Sequence, residues 1–218
     1  MRAAAIAWWR AVRHLNHRGY VYIWANVLWV ALSLPLITAP AAWAGLARLS
    51  YLSSRQPGVT LDEFWQGFRE NLKRGAALAI INVLVIVVNV VNLLGFRNAG
   101  GLAFDGLRVF WLLVVIIWFG IQLYVWPLFY AMERPSLPGA FKNAALMVIL
   151  NPLFTLTAWF IAAVVIVVST LLPAAWILLT GALLAAAANG LVADRLQAAG
   201  FSADVLPDYE PEEGLPEP

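Results

Sequence analysis

The sequence predicts an all-α fold: a polytopic transmembrane helix bundle of about six spans, with one short hairpin arm and with interfacial amphipathic helices. Of 218 residues, 62% are hydrophobic and 12% are charged, against about 25% charged residues in ordinary soluble domains. The apolar runs are too long for strands, and polar residues do not alternate within them. Helices whose backbone amides are all paired internally are therefore favoured over a membrane β-barrel.

Residues 1–19 predict an amphipathic basic helix that lies on the membrane surface. On a helical wheel one arc holds Ala5, Trp8, Trp9, Val12 and Leu15, with arginines and histidines opposite. A basic polar face of this kind contacts anionic lipid headgroups. Arginines interrupt the apolar stretch and no small-residue cleavage site follows, so we expect this helix to be retained rather than removed as a signal.

Residues 20–196 predict the transmembrane domain. Its spans are expected at about 20–36, 40–53, 75–96, 107–131, 152–170 and 173–193. The second span, 40–53, is the least hydrophobic. The segments before span 20–36 and after span 40–53 are both basic, and basic segments stay in the cytoplasm. The chain must then cross twice between the two flanks. We expect a hairpin that turns at "PLITAP", where two prolines break the helix.

We predict a multi-pass protein of a bacterial cytoplasmic (inner) membrane. Counting the crossings from this hairpin onward assigns each loop to one side of that membrane. Both termini lie in the cytoplasm, and only Arg97 and Arg108 among the basic residues lie outside. The end of the chain, residues 197–218, contains six acidic residues and four prolines. This composition predicts a disordered acidic tail.

Two amphipathic helices are expected on the cytoplasmic surface, over residues 60–74 and 136–151. Thr60 and Glu63 have the spacing of a capping box at the start of the first helix. Ser136 can cap the second helix, with Pro138 in its first turn. Two spans follow each helix, which hints at a duplicated unit of surface helix plus hairpin.

The sequence lacks the common motifs of enzyme active sites. The sequence has no cysteine, and it contains no Walker phosphate loop, no nucleophile elbow and no HExxH motif. The cores of the four longest spans contain no ionisable residue, which disfavours ion-coupled pumping. We therefore predict that the protein is not an enzyme and that it has no catalytic residue, cofactor or metal site.

Polar side chains inside the spans are amides and hydroxyls. One stripe along the third span and residues expected opposite it form a candidate intramembrane polar seam: Asn82, Asn89, Asn92, Gln122, Thr155 and Thr157. Such groups face protein or water rather than lipid. They can join helices, at about 0.6–2 kcal/mol per hydrogen bond, or they can bind and pass a neutral polar solute.

Two further surfaces are candidates for contact with other molecules. Basic residues beside the first cytoplasmic helix are expected to contact lipid or a protein partner: Arg69, Lys73 and Arg74. They adjoin apolar spans, so lipid headgroups explain them better than nucleic acid does. In the last span Ala182, Ala186 and Gly190 recur at four-residue steps, which lets helix backbones approach closely.

Three stretches resemble the YesL-like family of bacterial integral membrane proteins, a family without an established activity. They are "NVLWVALSLPLITAPAAWAGLARLSYLSSR", "FWQGFRENLKRG" and "LPGAFKNAALMVILNP", which extend from about Asn26 to Asn151. Alanine stands at position 39, where the resemblance leads us to expect glycine. The resemblance implies an association with carbohydrate-utilisation and sugar-uptake systems, and it transfers no catalytic residue.

We therefore expect a non-enzymatic accessory or scaffold protein associated with a carbohydrate-uptake system. Its partners would be membrane lipids and a membrane transporter subunit, reached through the cytoplasmic helices or the small-residue faces. No nucleic acid is expected, and the sequence sets no oligomeric state. The alternative is a small permease that passes a neutral polar solute through the asparagine seam.

Overall fold

The computed structural model describes residues 2–17, 19–97 and 100–201, and within these ranges the fold is all-α, as the sequence predicts. The helices are α1 (Arg2–His17), α2 (Gly19–Ser33), α3 (Ala39–Ser53), α4 (Leu61–Glu70), α5 (Leu72–Gly95), α6 (Leu102–Ala131), α7 (Leu137–Leu150), α8 (Pro152–Leu171) and α9 (Pro173–Ala198). Most of the predicted acidic tail, from residue 202 onward, lies outside the described residues.

Four helices in the described ranges, α5, α6, α8 and α9, are long and apolar enough to cross a membrane. Helices α2 and α7 are apolar but shorter. Helix α3 has 15 residues, about 22 Å at a rise of about 1.5 Å per residue. The arrangement of six spans stays a prediction, because the two helices of the first hairpin are the short ones.

The helices fall into three successive units with the same order: one first helix followed by a helical hairpin. The units are α1–α3, α4–α6 and α7–α9. Helix α4 packs on α3 and α7 packs on α6, so each first helix contacts the last helix of the preceding unit. Helix α1 packs on α9, which closes the order into a ring. The last helices, α3, α6 and α9, contact one another at the centre.

The buried core is concentrated in α3 and α9. In α9, 61% of the most apolar stretch is buried, against 17% in α5 and in α6. Alanine, glycine and serine supply most of the buried positions in both core helices, and small side chains permit close packing of helices. Helix α3, which corresponds to the least hydrophobic of the predicted spans, thus lies at the centre of the bundle.

Glycines allow α3 to pack closely against α4 and α5. A Cβ atom added at Gly75 of α5 would lie 2.6 Å from the backbone nitrogen of Ala41 in α3. A Cβ atom at Gly67 of α4 would lie 2.9 Å from the Cβ atom of Arg48. Any larger side chain at these positions must displace a neighbouring helix.

Helix α1 packs on protein along one face. Trp8 and Leu15 from the predicted apolar arc are buried, whereas Trp9 and Val12 are exposed. The buried face contacts α8 and α9. The contact of the remaining surface with lipid headgroups stays a prediction.

The structure divides the amphipathic segment 60–74 into two helices. The Thr60 hydroxyl caps α4 by accepting a hydrogen bond from the Asp62 backbone N–H at 3.3 Å. Helix α4 ends at Glu70, and α5 begins at Leu72 after the buried residue Asn71. In the second such segment the Ser136 hydroxyl accepts from the Gly139 N–H at 3.3 Å, so α7 begins where the sequence predicts a cap.

The turn between α2 and α3 contains Leu36 with a φ of 60°, in the left-handed region. This conformation costs an L-residue about 1–2 kcal/mol, and glycine adopts it freely. We expect Leu36→Gly to raise the free energy of unfolding by about 0.5–1 kcal/mol, since the added freedom of the unfolded chain offsets part of the gain. Unfolding in mixed detergent micelles measures the difference.

Leu34→Gly is the matched control for this change. Leu34 lies in the same turn and is equally exposed, 77% against 76% for Leu36, but its φ is not positive. Leu34→Gly is therefore expected to bring no gain in stability. An equal gain in both variants would contradict the explanation from backbone conformation.

Candidate functional site

The most unusual backbone in the described part of the chain is a π-helical turn in α9, at Trp176–Thr180. The side chain of Asn26, fully buried in α2, is fixed against this turn. Its Nδ2 donates to the carbonyl oxygens of Trp176 and Ile177 at 2.7 and 2.8 Å. Its Oδ1 accepts from the Ala182 backbone N–H at 2.8 Å. One amide thus binds three backbone groups in and next to the wider turn.

Close packing surrounds this amide. A Cβ atom at Gly181 would lie 2.5 Å from the ring of Trp29 and 2.9 Å from the Asn26 Oδ1 atom. The Thr180 hydroxyl is 2.7 Å from that of Ser169, which ties α9 to α8. π-helical turns inside α-helices are frequent at functional sites. The Asn26 cluster is therefore the first candidate site.

The predicted polar seam begins with a reciprocal pair of amides. The Nδ2 atom of Asn82 donates to the Gln122 Oε1 at 3.2 Å, and the Gln122 Nε2 donates to the Asn82 Oδ1 at 3.0 Å. The indole N–H of Trp118 also donates to the Asn82 Oδ1, at 2.9 Å. This cluster joins α5 to α6, and its groups satisfy one another.

The other seam residues lie apart from this pair. Asn89 and Asn92 donate to carbonyls one turn back in their own helix, those of Val85 and Val88. Thr155 is buried on α8 near Tyr124 of α6. Thr157 donates to the Leu153 carbonyl within α8. Among the described residues no hydrogen bond joins Asn82 to Asn89 or to either threonine.

A charged network links α3 to the start of the second unit. Arg48 of α3 forms ion pairs with Glu63 at 3.0 Å and with Glu70 at 3.3 Å, both on α4. Next to it the buried Asn71 donates to the Tyr130 hydroxyl at 3.0 Å, and that hydroxyl donates to the Ala44 carbonyl at 3.1 Å. These bonds join α3, α4, α5 and α6 at one point.

The three predicted basic contact residues have different surroundings. Arg69 and Lys73 are exposed, and the Arg69 guanidinium lies 5.6 Å from the ring centroid of Trp65. Arg74 is engaged within the protein, because it donates to the Asn71 Oδ1 at 3.1 Å and lies over the Phe129 ring. Arg69 and Lys73 are thus available to an external partner.

The small residues of the last span contact the protein's own helices. Ala182 is fully buried and Ala186 is 7% exposed. At Gly190 an added Cβ atom would lie 3.6 Å from the Ala7 carbonyl of α1. Asn189 beside them donates to the Ala47 carbonyl of α3 at 3.2 Å. This face of α9 is therefore occupied by α1 and α3.

With this geometry in place, comparison with known proteins gives one family. Residues 22–93 match the family "Protein of unknown function, DUF624". No curated protein and no solved structure matches the chain. The DUF624 segment contains α3 and α4 with most of α2 and α5. It includes Asn26, Arg48 and Asn82, and it overlaps the first part of the stretch that resembles the YesL-like family.

Sequence reasoning missed Asn26, although a signal for it exists in the sequence. Asn26 follows Gly19 by seven residues in "GYVYIWANVL", and Asn82 follows Gly75 by seven in "GAALAIINVL". Both asparagines lie on the first helix of the hairpin in their unit and bind another helix. The repeat would have placed Asn26 beside Asn82 as a candidate. The Arg48 network carried no comparable signal in the sequence.

The reciprocal amide pair predicts an energetic coupling between α5 and α6. We expect Asn82→Leu and Gln122→Leu each to lower the free energy of unfolding, and the double variant to cost less than their sum. The difference, the coupling energy, should be about 0.6–2 kcal/mol. Thermodynamic cycles in the same micelles measure it, and strict additivity would show that the pair does not stabilise the hairpin.

Proposed function

We propose that this protein is a non-enzymatic accessory or scaffold of a bacterial cytoplasmic membrane. It docks onto another membrane protein through the α5–α6 hairpin and the exposed face of α4. A carbohydrate-uptake transporter is the partner that the resemblance to the YesL-like family favours. The protein would hold or orient such a subunit and would not move solute alone.

The exposure of the α5–α6 hairpin is the observation that carries this proposal. Its helices have 24 and 30 residues, yet only 17% of the apolar stretch of each is buried. Large side chains such as Val91 and Leu113 are 63% and 49% exposed. The rest of the bundle packs without this surface, so lipid or the transmembrane helices of a partner cover it in a membrane.

Helix α4 offers a polar surface beside the base of this hairpin. Its apolar side chains Phe64 and Phe68 are buried against α3 and its neighbours. The opposite face exposes Asp62, Gln66 and Arg69. A face with both signs of charge gives specificity to a contact more than raw affinity. It suits a protein partner in the cytoplasm or at the membrane surface.

The permease alternative has less support from the polar groups. A solute path needs side chains whose hydrogen-bonding groups are free to exchange with the solute. Asn82 and Gln122 bind each other, and the amide N–H groups of Asn89 and Asn92 bind carbonyls of their own helix. The oxygens of Asn89 and Thr155 are buried without a partner among the described residues, but no hydrogen bond links them to the Asn82 pair as a path would require.

Site-directed photocrosslinking tests the proposal. The chain contains no cysteine, so a single introduced cysteine can be labelled selectively. A single cysteine at Val91 on α5 carries a thiol-linked benzophenone, and the chain is irradiated in native membranes and analysed by mass spectrometry. We expect one stoichiometric membrane-protein adduct, a transporter subunit. Val167→Cys is the matched control, since Val167 of α8 is also a valine, 59% exposed, and is expected to crosslink lipid only.

Two results would contradict the accessory function. Lipid or self-adducts alone at position 91 would remove the support for a partner. Solute flux through liposomes that contain only the purified protein, abolished by Asn82→Leu, would favour the permease.

A further inference from the structure

Helix α1 presents a basic face to the outside of the bundle. Three arginines are exposed on it: Arg2, Arg10 and Arg13. The helix contains no acidic residue, and neither Arg2 nor Arg13 forms an ion pair with any described residue. The other first helices differ, because α4 contains three acidic residues and one arginine, and α7 contains a single lysine. Of the three first helices, α1 is thus the basic one without an acid of its own to balance the charge.

Large apolar side chains lie on the same face of α1. Ile6, Trp9 and Val12 are 48%, 62% and 45% exposed, whereas the opposite side of the helix packs on α8 and α9. The spacing of Ile6, Trp9 and Arg13 is i, i+3, i+7, which places the three side chains next to one another. An occupant of this face must therefore offer apolar side chains as well as acidic groups.

The chain itself has a segment of this composition directly after α9. Residues 202–218, which lie outside the described residues, contain six acidic residues and no basic one. Val205, Leu206 and Tyr209 stand among these acids. The segment therefore matches the exposed face of α1 both in charge and in apolar character.

This acidic segment is also attached close to α1. Helix α1 packs on α9, with Gly190 next to Ala7. Helix α9 ends in a Schellman motif, in which Gly200 has a φ of 84° and the Phe201 N–H donates to the Leu196 carbonyl at 2.9 Å. The described chain thus stops about 16 Å along α9 from the α1 contact, at about 1.5 Å per residue. Residues 202–218 span up to about 55 Å when extended, enough to reach α1 and to follow its length of about 24 Å.

We propose that the acidic segment 202–218 binds the exposed face of α1 in the folded protein. Its carboxylates pair with the arginines, and its apolar side chains cover Ile6 and Trp9. Exposed ion pairs contribute little singly, but attachment to α9 gives the segment an effective concentration in the millimolar range. The bound segment withholds this face from anionic lipid headgroups and from acidic partners. This inference does not depend on the proposed docking through the α5–α6 hairpin.

Double electron–electron resonance on the full chain in neutral detergent tests the contact. Spin labels are attached at Gly214→Cys in the acidic segment and at Asn16→Cys on the exposed face of α1. We expect a narrow distance peak no longer than α1 itself, about 24 Å. Asn143→Cys on α7 is the matched control, because Asn143 is also an exposed asparagine of a first helix, and its distance to the same label should be clearly longer. Broad and similar distributions for the two pairs would overturn the contact.

Charge changes separate ion pairing from chance proximity. Arg13→Glu should broaden the peak of the Asn16 pair, whereas Lys142→Glu, the same reversal on α7, should leave it unchanged. Replacement of all six acids of the segment by their amides does not alter the bundle and should broaden the peak as well. Salt should act in the same direction, since the Debye length falls from about 10 Å at about 0.1 M to about 3 Å at about 1 M. A peak that stays narrow through all these changes would show that charge does not hold the segment.

Anionic lipid headgroups are the competing occupant of the α1 face. The labelled chain is therefore also measured in nanodiscs of palmitoyl-oleoyl phosphatidylcholine, with and without phosphatidylglycerol. We expect the narrow peak of the Asn16 pair in both membranes. Its loss where phosphatidylglycerol is present would assign the face to lipid headgroups and refute the contact.

Discussion

Replacement of Asn26 by leucine should lower the free energy of unfolding by about 2–5 kcal/mol, the largest effect of any single change that we expect. The amide binds two carbonyls and one N–H of α9, and hydrogen bonds between helices in membranes contribute about 0.6–2 kcal/mol each. Leucine has a similar volume, so the loss would come from polar groups left without partners in an apolar interior. Reversible unfolding in mixed micelles measures it.

The control for this change is Asn92→Leu. Asn92 donates only to the Val88 carbonyl, which already belongs to its own helix, so this variant is expected to change stability by less than 1 kcal/mol, roughly one hydrogen bond. Hydrogen exchange provides an independent readout, because the Ala182 N–H should exchange faster in Asn26→Leu alone. Equal stability of the two variants would show that the π-helical turn does not need the Asn26 side chain.

Gly75→Ala is expected to destabilise the protein by about 1–3 kcal/mol, the usual cost of overpacking a filled interface. The added Cβ atom would lie 2.6 Å from the Ala41 nitrogen and 2.9 Å from its Cα atom, so α3 or α5 must move. Ordinary glycine-to-alanine changes inside helices have the opposite sign, because alanine restricts the unfolded chain. Thermal and denaturant unfolding in one detergent would record the change.

Gly106→Ala supplies the matched control. Gly106 lies inside α6 with nothing within 4 Å of an added Cβ atom, and we expect a gain of about 0.5–1 kcal/mol. Variants with the same chemical change should thus differ in sign. A gain at Gly75 as well would indicate that α3 and α5 do not pack as closely as described.

The helices themselves could be read from the sequence, because length and apolar composition are local properties. The runs at 75–96, 107–131 and 152–170 correspond to α5, α6 and α8. The caps at Thr60 and Ser136 were also visible, since capping depends on residues close in sequence. The break between α4 and α5 was not, because the side chain at the break, Asn71, binds Tyr130 from a distant part of the chain.

The site was less accessible to sequence reasoning. Asn82 and Gln122 were identified as polar residues that face protein or water, and their helices are joined by that pair. Asn26 was overlooked because it stands alone in a short apolar helix, and its partners are backbone groups of a turn whose irregularity has no signature in "AAWILLTGA". Arg48 likewise pairs with Glu63 on another helix, fifteen residues away. Spacing within a single helix cannot reveal such a pair.

The ring of contacts between the units has a consequence for biosynthesis. Helix α1 is synthesised well before the surfaces on which it packs, α8 and α9. At about 5–20 residues per second its apolar residues Trp8 and Leu15 remain without their final partners for roughly ten to thirty-five seconds. An amphipathic helix can rest on lipid headgroups during this interval. We therefore expect the amphipathic pattern of α1 to serve this stage of assembly, and docking of α1 to follow the synthesis of α8 and α9.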